Sequence, residues 1–112
     1  MRITSEIFIS ALRRRAESAG AFVMVLAKGE QAAGAIYIVV RRAHGKADLV
    51  GPAPQSYFDD MPNDRRFETL LSDAEMDAVQ ERLDREKQFD PDVWIIEIDD
   101  RQGRCFVDLV DI

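Results

Sequence analysis

Two uninterrupted apolar runs rich in β-branched and aromatic residues, 22–26 (FVMVL) and 36–40 (IYIVV), constrain this chain more than any other feature. Side chains of a strand point alternately to its two faces, so a strand with one face in water alternates apolar with polar residues. Neither run alternates. Both are therefore expected to lie centrally in a sheet, covered at least in part on both faces. A loop over 29–34, with glycine at each end, joins them as a hairpin. Residues 43–46 then turn the chain into a shorter third strand at 47–50, which completes an antiparallel meander. A weaker strand signal occupies 66–70. Near the C-terminus, 93–98 (VWIIEI) and 105–110 (CFVDLV) flank a turn at 99–103 and read as a second hairpin, with Gly103 where positive φ is expected.

Helical spacing appears twice. Ile7, Phe8, Ala11, Leu12, Ala16 and Ala19 recur at helical intervals behind Thr4, whose hydroxyl suits an N-cap, and Gly20 suits the left-handed residue that ends a helix. Ile3 and Phe8 stand where a hydrophobic staple would hold them. A second helix is expected from Ser72, where Ser72-Asp73-Ala74-Glu75 has the form of a capping box. Its apolar stripe is Met76, Val79 and Leu83, and Pro91 stops it. The element order is α-β-β-β-(β)-α-β-β. This is an α+β fold in which a mostly antiparallel sheet, a meander plus a C-terminal hairpin, is packed on one side by two amphipathic helices. At 112 residues the chain has the size of one core, so 1–112 is read as a single domain.

Composition excludes several classes. With 46% hydrophobic and 32% charged residues the chain holds too much apolar material for intrinsic disorder. Its apolar runs are far shorter than the roughly 20 residues that a spanning helix needs, so no membrane role is expected. Glu6 stands where a secretory signal would be apolar, and the expected address is the cytoplasm. A lone cysteine, Cys105, forbids an internal disulfide and suits a reducing compartment. One cysteine and one histidine cannot assemble a zinc site of Cys/His type. No phosphate-cradling or dinucleotide-binding glycine motif occurs. No cofactor and no metal is therefore expected. His44 falls in a turn and reads as a solvated residue. The acidic pairs at 59–60, 90–92 and 99–100 match turn chemistry better than a calcium loop.

Charge is unevenly spread. Residues 1–46 carry eight Lys/Arg against three Asp/Glu, whereas 47–112 carry seven against eighteen. Either the basic half meets an outside partner, or the two halves compensate each other inside the fold, which is the simpler expectation. Candidate anion- or partner-binding residues are Arg13, Arg14, Arg41 and Arg42. Tyr57 and Phe58, in a long loop over 51–64, are candidate contact residues, and Trp94 is a further one, although its apolar strand favours a core or half-buried anchor.

The segments 2–17 (RITSEIFISALRRRAE), 20–22 (GAF), 33–35 (AGA), 49–53 (LVGPA) and 89–97 (FDPDVWIIE) resemble a family of small alphaproteobacterial proteins catalogued only as a domain of unknown function. The resemblance spans nearly the whole chain and implies a bacterial cytoplasmic domain. It implies no catalytic or binding residues. The expected role is a non-catalytic module that binds a protein or associates with itself, because apolar strands offer edges for pairing. Two alternatives stand beside it. One is a binder of polyanion or nucleic acid through the basic first half, disfavoured by a pI of about 4.7. The other is a small enzyme using acidic groups near the 51–64 loop.

Overall fold

The computed structural model describes residues 3–54 and 65–110. Helix α1 spans Ser5–Ser18, followed by strands β1 (Phe22–Ala27), β2 (Ile36–Arg41), β3 (Lys46–Pro52) and β4 (Phe67–Glu75). Helix α2 (Met76–Phe89) and strand β5 (Trp94–Asp99) complete the order, and a single 3-10 turn over Ala43–Gly45 links β2 to β3. The α+β class and the two-helix, mostly antiparallel layout are those expected from the sequence.

The wiring differs in one decisive respect. The sheet order is β1-β5-β2-β3-β4. Strands β2, β3 and β4 form an antiparallel meander, but β1 does not join it. Strand β5 enters between β1 and β2, antiparallel to the first and parallel to the second. With both edges of β5 taken, no place remains for 105–110 as its hairpin partner. The C-terminal segment instead crosses the α1 side of the sheet, where Cys105, Phe106 and Val107 pack on the core. It reaches β4 at a single bridge, where the Phe67 N–H donates to the Asp108 carbonyl at 3.0 Å and the Val110 N–H to the Phe67 carbonyl at 2.8 Å.

The apolar runs are explained by helices on opposite faces of the sheet, rather than on one side as the sequence led us to expect. Ile36, Ile38 and Val40 of β2 and Trp94, Ile96 and Ile98 of β5 meet Ile9, Leu12 and Ala16 of α1. The intervening Tyr37, Val39 and Ile95 meet Val79 and Leu83 of α2. A central strand with a helix on each face cannot alternate apolar with polar residues. Strand β1 shares that apolar composition yet lies at the edge. Val23 is buried, but Phe22 is 78% exposed and Met24 58%.

Local signals act as the sequence suggests around α1. Thr4 accepts the Ile7 N–H at 3.2 Å, and Gly20 takes φ +95°. Ser5 is fully buried and donates its hydroxyl to the Gly34 carbonyl at 2.6 Å, which pins the helix to the loop between β1 and β2. At α2 the expected capping box does not form. Residues 72–75 stay in β4 and pair with β3, Ala74 opposite Ala47 and Glu75 opposite Lys46. The Asp73 N–H donates to Asp48 Oδ1 at 2.7 Å, and the helix starts at Met76 without a side-chain cap. Ladder bonds and Asp48 satisfy groups that a serine cap would otherwise serve.

Candidate functional site

Strands β2 and β5 are the parallel pair, so their carboxyl ends emerge side by side, Arg41 in register with Asp99. The connections that follow wall a crevice of about 490 Å³ lined by Arg41, Arg42, Asp99, Asp100, Arg101 and Gly103. In open α/β sheets, ligands bind in crevices outside the carboxyl ends of parallel strands, and this parallel pair places a crevice in the equivalent position.

The turn after β5 is braced from within. Asp100 accepts a two-pronged bond from Arg104, Nε at 2.8 Å and Nη2 at 2.9 Å, together with the backbone N–H groups of Gln102 and Arg104. These bonds hold its carboxyl well below the usual carboxylate range and push the Arg104 guanidinium up. Arg104 also donates to the Ala19 carbonyl at 3.3 Å and lies over the Phe106 ring. One side chain thus ties the turn to the end of α1. Gly103, at φ +68°, closes on Arg42, and a Cβ there would stand 2.8 Å from Nη1.

The arginines singled out in the sequence divide into two groups. Arg13 and Arg14 lie on the outward side of α1, where Arg13 pairs with Glu17 at 3.2 Å. Arg14 forms no ion pair among the described residues. Arg41 stands on the α2 side of the sheet and approaches Glu97 at 3.8 Å, while Arg42 approaches Asp48 at 3.3 Å and Asp73 at 4.0 Å. Lys46 approaches Glu75 at 3.9 Å. Each of these last contacts joins a cation of the first 46 residues to a carboxylate of the remainder, so much of the charge asymmetry is met inside the fold. No bond links Arg13 or Arg14 to Arg41 or Arg42 among the described residues.

Trp94 is not a surface contact. It is 3% exposed, and its Nε1–H donates to the Glu30 carbonyl at 2.8 Å. Gly29 passes so close that a Cβ would meet the Asp92 carbonyl and lie 2.8 Å from Trp94 Cδ1. Tyr57 and Phe58 lie outside the described residues. His44 is exposed, with φ +64°, and Cys105 is a half-buried free thiol. Among the described residues no three potential metal ligands cluster, and no helix is long and apolar enough to cross a membrane.

A second feature was not legible from the sequence. One side of β1 pairs with β5 and the other has no partner strand among the described residues. Phe22, Met24, Val25 and Leu26 are exposed along it, and a groove of about 260 Å³ runs between Phe22 and Met24 and the carboxylates of Glu97 and Asp99. An edge strand ordinarily carries charges or a proline that discourage pairing, and β1 has neither. The absence of charge within 22–27 was the available signal, but a covered central strand has it too.

A mixed sheet with one helix on each face and one internal parallel pair makes this a three-layer α+β protein, and solved structures share the layout. The solution structure of protein Atu0922 from A. tumefaciens is 45% identical, with a TM-score of 0.86 over 100% of this chain and 98% of that one. A crystal structure from Caulobacter crescentus gives 31% identity and a TM-score of 0.81 over 99% and 100% of the two chains. The family model described as "Protein of unknown function (DUF1491)" matches residues 3–108, and the chain belongs to that family. The Caulobacter protein is described as a member of the same family, so the resemblance read from the sequence holds. Comparison with curated proteins finds no match.

Proposed function

We propose that this chain is a non-catalytic interaction module that self-associates by pairing β1 with β1 of a second copy. The observation that carries the reading is the unpaired, uncharged and exposed apolar edge. Antiparallel pairing about a two-fold axis sets the open N–H groups of each edge against C=O groups of the same edge on the neighbouring copy and joins two five-stranded sheets into one. Charge favours the same occupant. Lys28 lies just past the C-terminal end of β1, and Asp99 lies beside its N-terminal residue Phe22. Neither forms an ion pair among the described residues, and antiparallel pairing brings each toward the other on the neighbouring copy. The setting proposed is the cytoplasm, where Cys105 stays a thiol.

Sedimentation equilibrium from micromolar to millimolar concentration tests this. A reversible monomer–dimer equilibrium is expected, and Met24→Lys is expected to abolish it while leaving the circular dichroism unchanged. A monomer at every concentration, or a Met24→Lys variant that dimerises as the parent does, rules the interface out.

A further inference from the structure

We infer that the crevice at the carboxyl ends of β2 and β5 is a binding site for a small molecule carrying a phosphoryl group, held by Arg41, Arg42 and Arg101. The inference stands apart from self-association, since it rests on different groups.

Each guanidinium offers five N–H donors in a planar fork suited to oxyanions. The side chains of Arg41, Arg42 and Arg101 make no hydrogen bond among the described residues. The carboxylates near Arg41 and Arg42 stand at 3.3 to 4.0 Å, close enough for charge balance but without hydrogen-bond geometry. Among the described residues Arg101 has no ion pair. The contrast with Arg104 is internal to the same turn, because its Nε and Nη2 donate to Asp100 and Ala19 and its guanidinium lies over the Phe106 ring. Three forks with unspent donors therefore border one concave space.

The acids around that space do not cancel them. Asp100 points its oxygens at Arg104 and at two backbone N–H groups, which leaves it little capacity to repel an anion. Asp99 is the remaining carboxylate on the wall. Glu97, beside Arg41, is loosely held at 3.8 Å and can be displaced by a ligand oxygen. The site is also held in shape. Gly103 sits on the Arg42 guanidinium, and the Asp100–Arg104 brace fixes the turn that carries Arg101. The volume of about 490 Å³ exceeds what phosphate alone would fill and falls in the range of small-molecule sites. A compact dianion presents three oxygens to the forks, whereas a single carboxylate presents two, so a phosphoryl group is the better match.

Titration of the ¹⁵N-labelled full chain with inorganic phosphate, at ionic strength fixed with sodium chloride, is the test. Saturable amide shifts confined to residues 41–45 and 99–104 are expected. Arg101→Gln, which breaks no bond seen in the fold, and Arg41→Gln are each expected to weaken binding about tenfold. Acetate at the same ionic strength is expected to bind at least about tenfold more weakly than phosphate, for want of charge and oxygens. Shifts that never saturate or spread over the surface, unchanged affinity in both variants, or equal affinity for acetate would each overturn the assignment.

Discussion

Replacing Tyr37 with phenylalanine should convert a pH-dependent part of the stability into a pH-independent one. The phenol lies on the α2 side of β2 and donates to Glu86 Oε2 at 2.9 Å, while Arg82 Nε donates to the other oxygen, Oε1, at 3.0 Å. Burial, reinforced by the hydrogen bond to Glu86, pushes the Tyr37 pKa up to about 12. The bond from Arg82 is the chief reason that the Glu86 carboxyl falls below its ordinary value. The folded-state pKa of Tyr37 thus exceeds the unfolded value of about 10. The protonated phenol's contribution is complete below pH 10 and disappears as pH rises through 12. Linkage gives about 1.4 kcal/mol lost by pH 11, and the full shift corresponds to about 3 kcal/mol. At neutral pH, Tyr37→Phe removes one hydrogen bond to a charged group that keeps Arg82 and water, which should cost about 1.5 kcal/mol. The gap between parent and variant should then close near pH 11. Urea unfolding followed by the fluorescence of Trp94, the chain's one tryptophan, measures both curves. The ultraviolet titration of the folded protein should show one of its two tyrosines ionising late. A stability gap that stays constant from pH 8 to 12, or two tyrosines titrating together near pH 10, would refute the reasoning.

Other expectations concern packing and caps. Gly29→Ala places a methyl group against the Asp92 carbonyl and Trp94, neither of which can move freely, and should destabilise by about 2 kcal/mol or more in urea melts. Leu12→Ala empties a fully buried position under the sheet and should cost about 3 kcal/mol, read as a lower urea midpoint with an unchanged slope. Ser5→Ala leaves the buried Gly34 carbonyl without its donor and should cost about 1–2 kcal/mol, a loss that Ser5→Thr does not mimic if hydrogen bonding rather than volume matters. Thr4→Ala should lower the thermal midpoint through a cap loss of about 1 kcal/mol, whereas Ser72→Ala, in the box that does not form, should have little effect.

Much of the local structure was legible because its causes are local. The Thr4 cap, the left-handed Gly20 and Gly103, and the inward stripe of α2 follow from short-range chemistry and appear where expected, whereas in α1 Leu12 and Ala16 face inward as expected but Ile9 takes the buried place that Ile7, 57% exposed, was expected to hold. The start of α2 shows the limit of that reasoning. Ser72 and Glu75 satisfy a local rule, yet a ladder to β3 and the Asp48 carboxylate offered those backbone groups other partners. The candidate site was only half legible. Arg41 and Arg42 border the crevice, but Arg101 gains its place only because β5 lies beside β2. Trp94 is the core anchor that its apolar strand favoured, enclosed by the Glu30 carbonyl and Gly29, and the lesser reading of it as a contact residue falls.

The sequence by itself determined the family, the α+β composition and which residues are apolar enough to be buried, since these depend on residue type and on spacing along the chain. Tertiary structure alone decided where each strand stands. Runs 22–26 and 36–40 look alike, but pairing with β5 on both sides of its backbone made one the sheet's edge and the other its centre. Strand order is a contest among long-range pairings that local sequence does not record. In this fold that contest sets which apolar surface stays open and which arginines share a crevice.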